Sequence, residues 1–127
     1  MQKEFKIVEQ NADGSAVLYS RSKMPLMSDR DNVIWYKSED RPDGRYLYEV
    51  KSIEHADCPP VKGVIRMQML KLSLTHQEGD DLVMEEFTNM DMGGYFPAKL
   101  MNMAMAGMMQ KGISDFKAKL QKIQDEL

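Results

Sequence analysis

Residues 97–127 have the apolar period of one long helix, and no other stretch of the chain shows this period over such a length. Apolar side chains recur there every three or four residues, which places them on one side of a helix. The stripe consists of Met105, Met109, Ile113, Phe116, Leu120, Ile123 and Leu127. Pro97 is tolerated in a first helical turn, because its missing N–H would be unpaired there. At about 1.5 Å per residue the helix would measure roughly 40 Å, so its stripe needs a wide surface to pack on.

The chain before this helix indicates about six antiparallel strands. They are predicted at residues 5–8, 16–22, 33–37, 46–55, 64–76 and 82–92. Asp-Gly pairs at Gly14 and Gly44 are hairpin signals between them. Within residues 64–76 the apolar side chains change parity, which predicts a bulge or a sharp bend. Strands followed by one helix predict an α+β fold, with the helix across one face of a curved sheet.

Methionine is unusually frequent, with 13 residues in the chain, and it crowds the start of the predicted helix. The cluster there consists of Met101, Met103, Met105, Met108 and Met109. Methionine is flexible and polarizable, so it suits surfaces that repack around different partners. Two interpretations stay open. The cluster either fills an irregular core or lines a cavity or movable lid over an apolar ligand.

Composition narrows the function classes. The chain is 43% hydrophobic and 29% charged, which is ordinary for one soluble domain. A net charge of −3 gives no basic footprint for nucleic acid. Lysines outnumber acids in the predicted helix, which allows transient contact with an anionic membrane. Cys58 is the only cysteine, which fits a reducing, cytoplasmic location. We find no secretory signal and no apolar run long enough to span a bilayer.

Neither catalytic chemistry nor a metal or cofactor site is predicted. His55 and His76 lack partners at metal-ligand spacing, so His55 is interpreted as a structural hydrogen-bonding residue. Cys58 has no activating neighbour in sequence. Glu85 and Glu86 would point to opposite faces of a strand and cannot act as a pair. The chain is therefore predicted not to be an enzyme.

Three segments together resemble the START domain, the StAR-related lipid-transfer module. Residues 13–37 contain the pattern Pro-x-x-x-x-Arg-Asp-x-Val, which begins at Pro25. Residues 52–67 contain Ser-x-x-His, proline and Lys-Gly-x-x-Arg, which ends at Arg66. Residues 90–105 contain Asp-x-x-Gly-x-x-Pro-x-x-Leu-x-Asn, which begins at Asp91. The order and spacing of the segments agree with the family as well.

The resemblance implies a helix-grip fold, in which a curved antiparallel sheet grips the C-terminal helix around one sterol, phospholipid, ceramide or similar lipid. The loop beside the cavity mouth would contain Pro25, Leu26, Met27 and Arg30. The expected walls are Trp35, Tyr48, Met67, Met69, Met101, Met105, Met108 and Met109, with Arg66 as a polar ligand-binding residue. For Arg30, Asp31 and Arg66 we favour a structural ion pair, with contact to a lipid head group as the alternative.

A START domain is usually longer than this chain. Residues 1–127 are therefore expected to form a single START-like domain that lacks the N-terminal third. An incomplete sheet would have an open edge, which invites pairing with a second chain and predicts a homodimer. The leading hypothesis is a lipid-binding or lipid-transfer protein. The alternatives are a dimeric interaction module that holds no lipid, and a cavity enzyme, for which we find no convincing acid or base.

Overall fold

The computed structural model describes residues 2–127 and contains seven strands and one helix. The strands are β1 (Gln2–Gln10), β2 (Ala16–Ser22), β3 (Arg30–Asp40), β4 (Tyr46–Ser52), β5 (Ile65–Arg66), β6 (Gln68–Glu78) and β7 (Asp81–Asp91), and the helix is α1 (Ala98–Glu126). The α+β class with a helix-grip element order is therefore confirmed.

One sheet contains all seven strands. Its antiparallel path runs β1-β2-β3-β4-β6-β7, so the prediction of about six antiparallel strands is confirmed. The two-residue strand β5 lies off this path and pairs in parallel with the start of β3. The predicted hairpin turns are present, and Gly14 and Gly44 adopt φ values of +86° and +84° there. Glycine accepts this conformation without a steric penalty, which explains the Asp-Gly signals.

The predicted strand at residues 64–76 is wrong as one element, because the chain is interrupted at Met67 between two strands. The chain leaves β5 after Arg66 and enters β6 at Gln68. At the junction, the Met67 amide donates a 2.8 Å hydrogen bond to the Asp31 carbonyl. Met67 thus belongs to neither strand and ties the turn to β3. The change of apolar parity between Met69 and Leu70 lies inside β6, whose register with β7 is uninterrupted, so no bulge accompanies it.

Several strands extend beyond their predicted ends. The strand predicted at residues 5–8 spans Gln2–Gln10, and the one predicted at residues 33–37 spans Arg30–Asp40. The expectation that Arg30 lies in the mouth loop is wrong as to its position, because Arg30 is the first residue of β3 and is buried. The start of β3 was not predicted because its first three residues, Arg30, Asp31 and Asn32, are polar, and polar residues are seldom buried in a strand.

A small core covers one face of the sheet. Val17, Tyr19, Val33 and Cys58 form its buried cluster, and Trp35 packs against it while partly exposed. Residues on opposite sides of a strand pair share a face, and Val17 lies opposite Trp35. We call this side of the sheet the core face. Cys58 belongs to the connection between β4 and β5. Its buried side chain packs in the core cluster and so fixes that connection against the sheet.

The chain divides into two compact units, one that ends at Gly94 and one from Tyr95 to Leu127. The second unit is dominated by α1, which begins directly after Pro97 with a hydrogen bond from the Met101 amide to the Pro97 carbonyl. All residues of α1 are described, and none is buried. The long helix is therefore confirmed. What covers its apolar stripe stays a prediction.

Candidate functional site

The face of the sheet opposite the core face carries three aligned tyrosines. Tyr36 lies opposite Val50, Ser38 opposite Tyr48 and Asp40 opposite Tyr46 along the β3–β4 pair. These residues share one side because side chains alternate along a strand. The Tyr36 and Tyr48 rings are 6.4 Å apart between centroids and tilted by 55°. We call this side the tyrosine face.

The tyrosine face combines apolar surface with a few ordered polar groups. Val50 is buried, and Tyr36, Tyr48 and Met69 are partly exposed. The Ser52 hydroxyl donates to Asn32 Oδ1 at 2.9 Å and accepts from the Met69 amide at 2.8 Å. Burial raises the pKa of Tyr48, which favours the neutral form of its phenol. Lys71 lies on the same face opposite Val50, and its charge is paired with Glu86 at 3.1 Å. A partly buried aromatic surface with fixed hydrogen-bonding groups suits an apolar ligand that has a small polar end.

The structure brings together only part of the predicted wall. Tyr48 and Met69 share the tyrosine face. Trp35 lies on the core face instead, where the Lys51 ammonium sits 4.7 Å from its ring centroid. Met67 lies in the turn between β5 and β6. Tyr36 and Val50 were not predicted for the wall, although the alternation of residues 46–52 could have pointed to Val50.

The methionines predicted for the wall lie near the start of α1. Met101 and Met105 are partly exposed, one turn apart, and Met108 and Met109 are exposed. All four belong to the second compact unit. Lys111 and Asp115 form an exposed ion pair at 2.7 Å one turn further on. The helix start thus presents a strongly apolar surface whose character becomes charged towards the C-terminus.

Asp31 is the centre of a buried polar cluster on the core face. Arg66 donates to both of its carboxylate oxygens, at 2.7 and 3.1 Å, and the Tyr19 hydroxyl donates at 3.0 Å. Arg66 also donates to the carbonyls of Cys58 and Pro59. The structural ion pair favoured by the sequence is therefore present, between Arg66 and Asp31. The pair fixes the β4–β5 connection and β5 against β3.

Arg30 has a different set of partners. Its guanidinium donates to the carbonyls of Ser28, Met92 and Gly93, at 2.7, 3.1 and 3.1 Å. These bonds tie the loop before β3 to the segment after β7. His55 is likewise structural, since its Nδ1 accepts a hydrogen bond from the Asp57 amide. The arrangement supports a positioning role for Arg30 and for His55.

The loop between β2 and β3 presents a strained apolar residue. Leu26 is fully exposed (106%) and has a φ of 60°, the only positive φ among the described residues other than glycine. A leucine in this region is unfavourable, and such strain often accompanies function. Pro25 precedes it and is exposed, whereas Met27 is partly covered. The predicted mouth loop therefore ends in an outward apolar tip.

A cleft of the sheet unit lies apart from the tyrosine face. A space of about 460 Å³ is lined by residues of the β4–β5 connection together with Arg66 and Gln68. This cleft does not include Tyr36, Tyr48 or Met69. Among the described residues no group of His, Cys, Asp and Glu could hold a metal ion. No helix in the described part of the chain could span a membrane.

We expect the Tyr19 hydroxyl to lose its proton at a higher pH than an ordinary tyrosine. Burial and the hydrogen bond to Asp31 raise its pKa to about 12 from an ordinary value of 10.0. Tyr19 therefore contributes stability that is fully present below pH 10 and is lost as the pH rises towards about 12. Alkaline titration followed by phenolate absorbance should lose its last component in Tyr19→Phe but keep it in Tyr46→Phe. Loss of the same component in both variants would contradict this assignment.

Known proteins resemble this chain in sequence pattern and in fold. A sequence model of the START domain matches residues 1–126. No curated protein matches. Human StAR-related lipid transfer protein 5 is similar in fold, with a TM-score of 0.66, 22% identity and 95% of this chain covered. Human STARD10 gives a TM-score of 0.72, 17% identity and 89% coverage.

A bacterial structure matches as well. The STAR-related lipid transfer protein from Xanthomonas axonopodis gives a TM-score of 0.63 and 19% identity, with 82% of this chain and 59% of that chain covered. This chain spans 59% of the human StAR-related lipid transfer protein 5 structure and 47% of the human STARD10 structure. The two comparisons with human structures therefore concern a part of each domain.

Proposed function

Because this chain is a member of the START domain family, we propose that it binds one apolar lipid, such as a sterol or a phospholipid, and shields it from water. The observation that carries the proposal is the tyrosine face, a partly buried surface of aromatic and apolar side chains with ordered polar groups at one end. The protein then acts in lipid binding or transfer, without catalysis, in the cytoplasm.

In the sheet unit, the proposed ligand-binding surface is part of the tyrosine face. This surface contains Tyr36, Tyr48, Val50 and Met69. Trp35 is not part of it, because Trp35 lies on the core face. In the second unit, the predicted ligand-binding residues are Met101, Met105, Met108 and Met109 of α1. Burial of apolar surface stabilises the complex by about 25 cal/mol per Å². A sterol-sized ligand buries several hundred Å², so micromolar or tighter binding is expected after the cost of association.

Arg66 is not required by this site. Its guanidinium is committed to Asp31 and to two backbone carbonyls. The head-group role first considered for Arg66 is therefore the weaker of the two interpretations. The polar end of the ligand would instead meet the hydroxyls of Tyr36 and Tyr48 or the Ser52–Asn32 pair.

Entry and exit of the lipid are proposed to involve the mouth loop and a transient membrane contact. Leu26 is outward and apolar at the loop tip, and Lys23 is close by in sequence. An apolar tip next to a cation favours an interface with anionic lipid. Movement of Pro25–Leu26–Met27 or of the start of α1 would open the site.

We expect Met105→Lys to weaken binding of a fluorescent sterol by about 10- to 100-fold, since the ligand would bury the partly exposed Met105 and full burial of a methionine contributes about 1.5–3 kcal/mol. Binding is measured by energy transfer from Trp35, the single tryptophan. Met103→Lys is the matched control, because Met103 lies on the same helix, is 65% exposed and lies outside the proposed wall. Equal effects of the two substitutions would contradict the assignment of Met105.

The second candidate is a homodimeric interaction module. It is favoured by the exposed apolar stripe of α1, in which Met109, Ile113 and Ile123 are all more than half exposed. Exposed apolar stripes of this length are typical of interaction surfaces. We propose that the protein is a homodimer in either case. Lipid retention separates the two functions, because the interaction module would hold none.

A further inference from the structure

Asn32 is a buried residue that uses only one end of its side-chain amide. It is 4% exposed and has the same parity along β3 as Tyr36, so its side chain belongs to the tyrosine face. The Ser52 hydroxyl donates to Asn32 Oδ1 at 2.9 Å. Ser52 Oγ itself accepts from the Met69 amide, so its own proton goes to Asn32. These two bonds orient the Asn32 amide, with Oδ1 towards Ser52 of β4 and Nδ2 at the other end.

The Nδ2 group of Asn32 has no hydrogen-bond acceptor within residues 2–127. It is not enclosed either, because in this range His76 Nδ1 is the only fully enclosed polar side-chain atom without a partner. Buried polar groups in folded proteins are paired as a rule, and an unpaired one is costly. An oxygen that reaches Nδ2 from the tyrosine face would therefore be bound favourably.

Ser20 supplies a second polar group beside Asn32. Both residues lie on interior strands of the sheet, since β3 is bordered by β2 and β4, and β2 by β1 and β3. Ser20 lies directly opposite Asn32, is partly exposed, and its hydroxyl makes no hydrogen bond to the described residues. Side chains opposed in this way have Cβ atoms about 4.5–5.5 Å apart. One hydroxyl of a ligand can therefore accept from Asn32 Nδ2 and donate its proton to Ser20 Oγ.

The strands β2, β3, β4, β6 and β7 offer a phosphate group no unpaired cation on the tyrosine face. They place two cationic side chains on this face, Arg30 and Lys71. Arg30 donates to three backbone carbonyls, and Lys71 Nζ lies 3.1 Å from the Glu86 carboxylate. A phosphate on this surface would lose hydration without gaining a free positive partner, which is costly for a charged group. The surface therefore favours an uncharged polar end.

We propose that Asn32 Nδ2 and the Ser20 hydroxyl bind the polar end of the ligand, and that this end is the single hydroxyl of a lipid alcohol rather than a phosphate head group. This inference rests on the proposed lipid binding and names the chemistry that the site selects. Ile34, Val50 and Met69 lie on the same face next to the Asn32–Ser20 pair. They offer an apolar surface to the body of a ligand whose hydroxyl is held by that pair.

Two forms of one sterol test the role of Ser20. A fluorescent sterol with a free hydroxyl can donate a proton to Ser20 Oγ, whereas the methyl ether of the same sterol cannot. Ser20→Ala should therefore weaken binding of the free sterol by about two- to tenfold, which is the effect of one hydrogen bond. It should leave binding of the methyl ether no weaker than in the parent protein. Equal losses for the two ligands would overturn the hydrogen bond to Ser20.

Asn32→Asp tests the Nδ2 donor. The variant keeps an oxygen that accepts from Ser52 but replaces Nδ2 by a second oxygen, so it should weaken sterol binding by about tenfold or more. Asn89→Asp is the matched control, because Asn89 is exposed and lies opposite Leu70 on the core face. Thermal unfolding of each variant is measured alongside, and Ser20→Ala tests the pair if Asn32→Asp does not fold. Equal sterol affinities of folded Asn32→Asp and Asn89→Asp would overturn the role of Asn32.

Competition separates this inference from lipid binding itself. Unlabelled sterol should displace the fluorescent sterol from the parent protein, and a soluble short-chain phosphatidylcholine should need about tenfold or more higher concentration to do so. Equal or stronger displacement by the phosphatidylcholine would overturn the selection of a hydroxyl. Parent affinity for the sterol in both Ser20→Ala and Asn32→Asp would overturn the Asn32–Ser20 pair alone and leave lipid binding in place. A parent protein that binds neither lipid would overturn the pair together with the proposed function.

Discussion

Replacing Asp31 by asparagine is expected to lower the free energy of unfolding by about 3–5 kcal/mol, because it removes one partner of a buried ion pair. Asp31 is 1% exposed and accepts hydrogen bonds from Arg66 and Tyr19. In the variant, the Arg66 charge would face a neutral amide in a site shielded from water. The midpoint of thermal unfolding should fall by on the order of 10 °C or more. Urea unfolding followed by circular dichroism measures the change.

Asp43→Asn is the matched control for this prediction. Asp43 lies 2.6 Å from Arg45, but both side chains are more than 40% exposed. Exposed pairs contribute about 0–1 kcal/mol, so this substitution should have little effect on stability. A loss in Asp31→Asn no larger than that in Asp43→Asn would contradict the structural role of the buried cluster.

Gly93→Ala should lower the free energy of unfolding by about 2–4 kcal/mol, as the sum of backbone strain and overpacking. Gly93 has a φ of +66°, and a Cβ there would lie 2.8 Å from Ile65 Cγ2 and 3.2 Å from the Arg66 carbonyl. The Gly93 carbonyl also accepts a hydrogen bond from Arg30. The substitution would therefore push the segment after β7 away from β5. Equilibrium unfolding in urea measures the loss.

Gly44→Ala separates strain from steric conflict. Gly44 has a φ of +84°, but a Cβ added there would meet no atom within 4 Å. Gly44→Ala should therefore lower the free energy of unfolding by only about 1 kcal/mol, which is the contribution of backbone strain alone. The double variant Gly93→Ala/Ile65→Ala should lose less free energy of unfolding than the sum of the losses in the two single variants. The reason is that Ile65 supplies the methyl group that conflicts with the added Cβ. Strict additivity would show that the close approach to Ile65 has no energetic effect.

Regular periodicity explains how much of the fold could be predicted. The helix was predicted from spacing alone and begins one residue after Pro97. The strand at Ala16–Ser22 matches its predicted bounds, because apolar residues continue from the Asp-Gly turn. The start of β3 was missed at Arg30, since its burial depends on backbone carbonyls of Met92 and Gly93 that lie far away in sequence. Long-range partners of this kind leave no local signal.

The candidate site could be predicted only in part, for a related reason. Trp35 and Tyr48 were both predicted as wall residues because they are large and aromatic. The face of the sheet that each one occupies, however, depends on whether its position along the strand points towards the core or away from it. The register places Trp35 opposite Lys51 and Tyr36 opposite Val50. A one-residue difference in position thus moves a side chain to the other side of the sheet. The family resemblance predicted a lipid site without indicating which parity would line it.

Native mass spectrometry of the protein as purified from cells tests lipid binding most directly. We predict a species that carries additional mass in the range of one lipid per chain, which is released on unfolding and identified after extraction. The parent protein and Met105→Lys are compared in the same experiment, with Met103→Lys as the control. Protein that is free of ligand, and that stays free when incubated with sterol- and phospholipid-containing vesicles, would contradict the proposed function.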